Sequence, residues 1–133
     1  MKREIRYIEL KTGYSDNGPA WIGEVEFSKS GNTIYFNNMA LKKSRTPLAG
    51  ANHFNIETGA KYWISGIKKN GQDRHWAGNG KILIDEDIVS NYLKLVDYDL
   101  LDKSKYKIIR INKVYDKSRF YKLENQVMGD QSI

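Results

Sequence analysis

Hydrophobic positions recur every second residue through most of the chain, the period of a half-buried β-strand. The clearest run is AWIGEVEFS, where Trp21, Gly23, Val25 and Phe27 fall on one face and Glu24, Glu26 and Ser28 on the other. SKSGN follows, with Gly31 able to take the positive φ of a short hairpin loop, and NTIYFNN supplies a return strand, so residues 20–37 are predicted to be a hairpin. Upstream, EIRYIEL reads as a first strand and KTGYSDNGPA as a loop. Downstream, KYWISGI and DRHWAGNGKILI flank KKNGQ, whose Asn70-Gly71 pair favours a tight turn, and a second hairpin is expected there. Residues 42–59 contain Pro47, several small residues and no sustained period, and read as a long connecting loop.

The period changes at IDEDIVSNYLKLV. Asp85 can cap a helix, Glu86 and Asp87 suit its N-terminal end, and Ile88, Tyr92, Leu93 and Val96 fall at helical spacing. KYKIIRINKVY then reads as a sixth strand, while KSRFYKLENQVMGDQSI, with Phe120, Leu123 and Val127 in loose register, reads as a short helix or a flexible tail. The expected organisation is one β-rich domain over residues 1–115, with a helix near 86–96, followed by the tail at 116–133. Five or six short strands with one helix imply a small bent antiparallel sheet or an SH3-like barrel. An open α+β roll is the rival, because closure depends on a register that periodicity does not report.

The 133 residues suffice for a self-sufficient core. The absence of cysteine removes disulfides, thiolate metal sites and thiol nucleophiles, and fits a reducing cytosol. MKREIRYIEL lacks the apolar run of a signal peptide, and no segment is apolar enough for a membrane span, so a cytoplasmic protein is expected. The net charge of +6 favours anionic partners. It is unevenly placed: residues 86–104 carry five acids against two lysines, whereas residues 105–123 carry seven bases against Asp116.

Motifs that would name a reaction are missing. AGNGK lacks the first glycine and the Ser/Thr of a Walker loop, and Gly78 and Gly80 do not complete a dinucleotide fingerprint. They are expected to make a bend whose N–H groups can face an anion, with Gly80 at positive φ. His53 and His75 have no acidic residues at ligand spacing, so no metal and no cofactor are expected. Were the chain an enzyme, His75 would move the proton and Asp73 would orient it, on a phosphorylated or nucleotide-like substrate. A binding role is expected ahead of an enzymatic one.

Aromatic residues make up 12% of the chain and several stand beside bases, the combination with which small barrels stack and neutralise single-stranded nucleic acid. Tyr62 and Trp63 are adjacent on a strand and must point to opposite faces, so one of the two rings lies outside the core. The expected binding surface comprises Tyr14, Trp21, Tyr62, Trp63, Arg74, Trp76, Gly78, Asn79, Gly80 and Lys81, with nucleic acid or another polyanion as partner. The alternative is a groove for a peptide or for a second copy of the chain.

The stretches IELKTGYSDNGPAWIG, FSKSGNTIYFN and YWISGIKKNGQDRHWAGNGKILID resemble a group of small, functionally uncharacterised bacterial proteins, over residues 4 to about 96. The resemblance implies a bacterial, cytoplasmic setting and supplies no catalytic residues. Some of that group carry the name of deoxyxylulose-phosphate synthase, whose G-D-G cofactor motif is absent from this sequence.

Overall fold

The computed structural model describes residues 2–12, 18–45, 50–71, 80–113 and 118–123. Eight strands are present among them: β1 (Arg3–Lys11), β2 (Ala20–Phe27), β3 (Thr33–Phe36), β4 (Met39–Lys43), β5 (His53–Asn55), β6 (Lys61–Gly66), β7 (Ile82–Asp85) and β8 (Tyr106–Ile109). The first six run in the order β1-β6-β5-β4-β3-β2, all antiparallel, and β1 pairs with β2 to close a barrel. The expected β-class is thus observed, in its closed form. No helix among the described residues is long and apolar enough to cross a membrane.

The hairpin at 20–37 forms as its pattern requires, with Glu26 opposite Tyr35 and Phe27 opposite Ile34, and Gly31 turning the loop at φ 78°. Beyond it, Asn37 and Asn38 both take left-handed backbone, φ 49° and 59°, which is what a two-residue hairpin loop needs to match the twist of its strands. That loop returns the chain as β4. The stretch at 42–59 is therefore not simply a connection: it holds the end of β4 and all of β5. A three-residue strand is too short to show a period of two. It is fixed instead by Asn52, whose side-chain amide donates to the Ile64 carbonyl and whose oxygen accepts from the Ile64 N–H, both at 2.8 Å.

The outgoing arm of the second predicted hairpin lies outside the described residues up to Asn79, and its described end, β7, does not pair with β6. The Asn70-Gly71 turn is present, with Gly71 at φ 72° and its N–H on the Lys68 carbonyl. β1 pairs along one edge of β6 from Lys61 to Gly66, and β5 takes Lys61 and Tyr62 on the other. β7 instead joins β2 in parallel, and β8 joins β7 in parallel on the far side. Gly80, which precedes β7, is not among the positive-φ glycines, and a Cβ there would meet nothing within 4 Å. The positive φ expected for it, and the strain a side chain would meet there, are absent.

The strands bury both faces in places. Inside the barrel, Ile8, Val25, Ile34, Phe36, Leu41 and Ile64 form the main core. On the outside, Tyr7, Ile22, Ile82 and Ile84 are covered by the helix that follows β7. That helix begins with a 3₁₀ turn, Glu86–Ile88, and continues as α1 (Val89–Val96). Asp85 caps it as predicted, its side chain accepting from the Asp87 N–H at 3.2 Å. Asp97 ends it in left-handed backbone. Residues 118–123 are helical and place Phe120 on the outer face of β3, stacked 5.7 Å from Tyr35.

Gly23 is required for a steric reason: a Cβ there would stand 2.7 Å from Cε1 of Phe36 and 3.2 Å from Cδ1 of Ile111. Gly23→Val is expected to lower stability by about 1–3 kcal/mol, as overpacking of a filled core does, while Gly80→Val should change it by less than ~0.5 kcal/mol. Urea unfolding of the two variants measures both, and equal midpoints would show that the ring above Gly23 yields without cost.

Candidate functional site

Among the described residues two sectors of the barrel exterior are covered, β1, β2, β7 and β8 by α1 and β3 with β4 by Phe120. The remaining sector, across β4, β5 and β6, carries the candidate site. Register builds it. Lys42 of β4 stands opposite Phe54 of β5, Phe54 opposite Lys61 of β6, and Lys61 opposite Lys11 of β1. Directly opposed residues share a face with Cβ atoms about 5 Å apart, so these four side chains form one row across four strands. Trp63, two residues from Lys61, extends the same face and is 39% exposed.

A carboxylate stabilises one end of the row. Glu9, opposite Trp63, is buried and accepts from the Tyr7 hydroxyl, and the Lys11 ammonium lies 2.6 Å from its other oxygen. Lys11 is thus held against the sheet, whereas Lys61 is exposed and Lys42 half-buried. Opposed lysines repel, and a row of them on one sheet face is disfavoured unless counter-charge is supplied. Glu9 supplies one such charge. The remaining positive field points outward, beside an indole and a phenyl ring.

The predicted site residues separate into four groups. Trp63 projects from the barrel, and its neighbour Tyr62 lies inside it, with its hydroxyl 3.4 Å from Sδ of Met39. Burial pushes the Tyr62 phenol above its ordinary pKa. Trp21 also belongs to the barrel core, edge-on to Phe36 at 6.3 Å and 6.5 Å from Tyr62. Gly80 and Lys81 are exposed just ahead of β7. Tyr14, Asp73, Arg74, His75, Trp76, Gly78 and Asn79 lie outside the described residues.

Sequence periodicity did not single out Lys11, Lys42 or Phe54, because their proximity arises only from pairing between distant strands. The signal that was available is the alternation within β6, KYWISG, which places Lys61, Trp63 and Ser65 on one face. Of the two histidines, His53 is described, and it is a barrel residue: opposite Tyr62 and Lys43, buried, with its Nδ1 2.8 Å from Asn52 Oδ1. Among the described residues no group of three or more His, Asp or Glu is placed to hold a metal ion. Comparison with family models, with curated proteins and with solved structures finds no match for this chain.

Proposed function

We propose that the chain is a small basic binding module whose partner is single-stranded nucleic acid, held on the outer face of β4, β5 and β6. The observation that supports this reading is the row Lys42, Phe54, Lys61 and Lys11 with Trp63 beside it. A base stacks on the Trp63 indole, which every base can do, and successive phosphates meet the lysines. The net charge of +6 raises the rate of encounter with any polyanion, and the aromatic faces favour one that carries bases.

Binding of labelled single-stranded oligonucleotides, followed by fluorescence anisotropy at two salt concentrations, tests it. Two neutralised phosphates, at Lys42 and Lys61, give a slope of about −1.4 in log K against log salt. Trp63→Ala should weaken binding about tenfold or more, the equivalent of one lost stack, and Lys61→Glu should weaken it and flatten the salt dependence. Because both side chains are exposed, neither substitution should unfold the barrel. No binding at low salt, or binding indifferent to both changes, would remove the proposal.

A second reading draws on a different surface. Leu95, Leu100 and Ile108 are exposed apolar side chains on the helical side of the molecule, as a protein-interaction or self-association module would present. A dimer that persists at high salt and dissociates in Leu100→Asp would favour that reading over nucleic acid.

A further inference from the structure

Between the turn at residues 68–71, the end of α1 and the start of β8 lies a cavity of about 280 Å³. Three tyrosines build it. Tyr92 and Tyr106 are buried, their rings 5.7 Å apart and tilted by 57°, with their hydroxyl oxygens 2.8 Å apart. The Tyr106 hydroxyl reaches the Gly71 carbonyl at 3.5 Å, and the half-exposed Tyr98 donates to the Asn70 carbonyl at 2.9 Å. The turn fits closely against this wall, since a Cβ on Gly71 would come within 3.0 Å of the Tyr98 ring. Leu93 and Leu101 add apolar lining, and Asp102 and Lys105 supply charge.

Among the described lining residues, the Asn70 and Gly71 carbonyls, the tyrosine hydroxyls and the Asp102 carboxylate supply oxygens, beside the Asn70 side-chain amide. Hydrogen bonds from the Ser104 hydroxyl and N–H hold that carboxyl below its ordinary pKa, so it stays an acceptor. Lys105 is the one base among the described lining residues. Such a site suits a flat ring that offers N–H donors and carries an anion on one side. Its volume lies just below the usual range of small-molecule sites and has room for one base, with a sugar and phosphate left outside it at the exposed Lys105.

We propose that this cavity binds a nucleotide whose base bears an exocyclic amino group, adenine or cytosine, with the ring against the tyrosines and the phosphate at Lys105. The amino group gives two donors to an acceptor-rich wall, whereas uracil would set its carbonyl oxygens against carbonyl and carboxylate oxygens. The site does not depend on the lysine row of β4 to β6. It lies beyond the end of β6, past Ile67, on the side covered by α1.

Isothermal titration of the full chain with AMP, CMP, UMP and adenosine, repeated on Tyr98→Ala and Lys105→Ala, tests the assignment. AMP or CMP should bind saturably and about tenfold more tightly than UMP, and loss of the Tyr98 ring should weaken binding by about the same factor. Lys105→Ala should weaken AMP and leave adenosine unchanged. Lys105 is exposed, so this second variant keeps the test decisive if Tyr98→Ala fails to fold. Absence of saturable AMP and CMP binding at millimolar concentration, equal affinity for UMP, or full retention of binding in both variants would each overturn the proposal. Trp63→Ala, which tests the oligonucleotide face, should leave AMP binding intact; loss of AMP binding there would place the nucleotide on the lysine row and refute the cavity as its site.

Discussion

Phe36→Ala is expected to lower the unfolding free energy by about 3–5 kcal/mol, the largest effect of any single side-chain truncation argued for this barrel. Phe36 is fully buried, stands edge-on to Trp21 at 6.3 Å, and lies directly over the Cβ-free face of Gly23. The space left by the ring is bounded by closed, hydrogen-bonded strands, so neighbouring side chains can refill little of it, and the residual cavity adds to the lost transfer energy. Domains of this size are stable by roughly 5–15 kcal/mol, so the variant should still fold but with a much lower denaturant midpoint. Urea unfolding followed by tryptophan fluorescence measures the change. A loss below ~1 kcal/mol would mean that the barrel interior collapses to fill the gap and that the contacts of Gly23 with this ring do not set its packing.

The same contact shows how much of the fold the sequence carried and where it stopped. The hairpin at 20–37 and the Asp85 cap were legible because each is a local signal: alternation, a positive-φ glycine, and an acid ahead of a helical stripe. Closure of β1 onto β2 was not, since the strands pair over seven positions through a register that neither strand states alone. β5 was missed because three residues cannot show a period. The partner of β7 was misassigned because a tight turn specifies a local reversal but not which strand the chain joins after it, and β7 joins β2.

The candidate site divides along the same line. Adjacency of Tyr62 and Trp63 forces their rings to opposite faces, and the structure puts Tyr62 in the core and Trp63 outside. Lys11, Lys42 and Phe54 could be found only after pairing was known, because they lie on three strands separated by long stretches of chain. Ile22 and Tyr7 face outward from the barrel yet are buried, since α1 makes a second core on that side. A period of two was therefore right for the strands and misleading about which face was solvent.

Between pH 7 and pH 5 the chain is expected to lose about 2 kcal/mol of stability through one group, His53. Burial, and then the charge of the opposed Lys43, push its imidazole down from 6.5 to about 4. Because Asn52 Oδ1 can only accept, the His53 Nδ1–H donates to it at 2.8 Å, and the neutral ring is the form the barrel holds. Above 6.5 the ring is neutral whether the chain is folded or not, and His53 makes stability independent of pH. As pH falls through 6.5 the unfolded chain takes up a proton that the folded chain refuses, and stability drops by about 1.4 kcal/mol per unit until the folded ring also titrates near 4. The window from 7 to 5 lies mostly above the range in which ordinary carboxylates protonate, so it isolates the two histidines, and the comparison with a His53 variant separates His53 from the other. His53→Gln keeps a polar side chain of similar reach without a group that titrates there, and its stability should be nearly flat over the same window. Chemical denaturation at pH 7, 6 and 5 for both proteins measures the difference; parallel losses would assign the acid sensitivity to other groups and show that the His53 ring charges freely in the folded barrel.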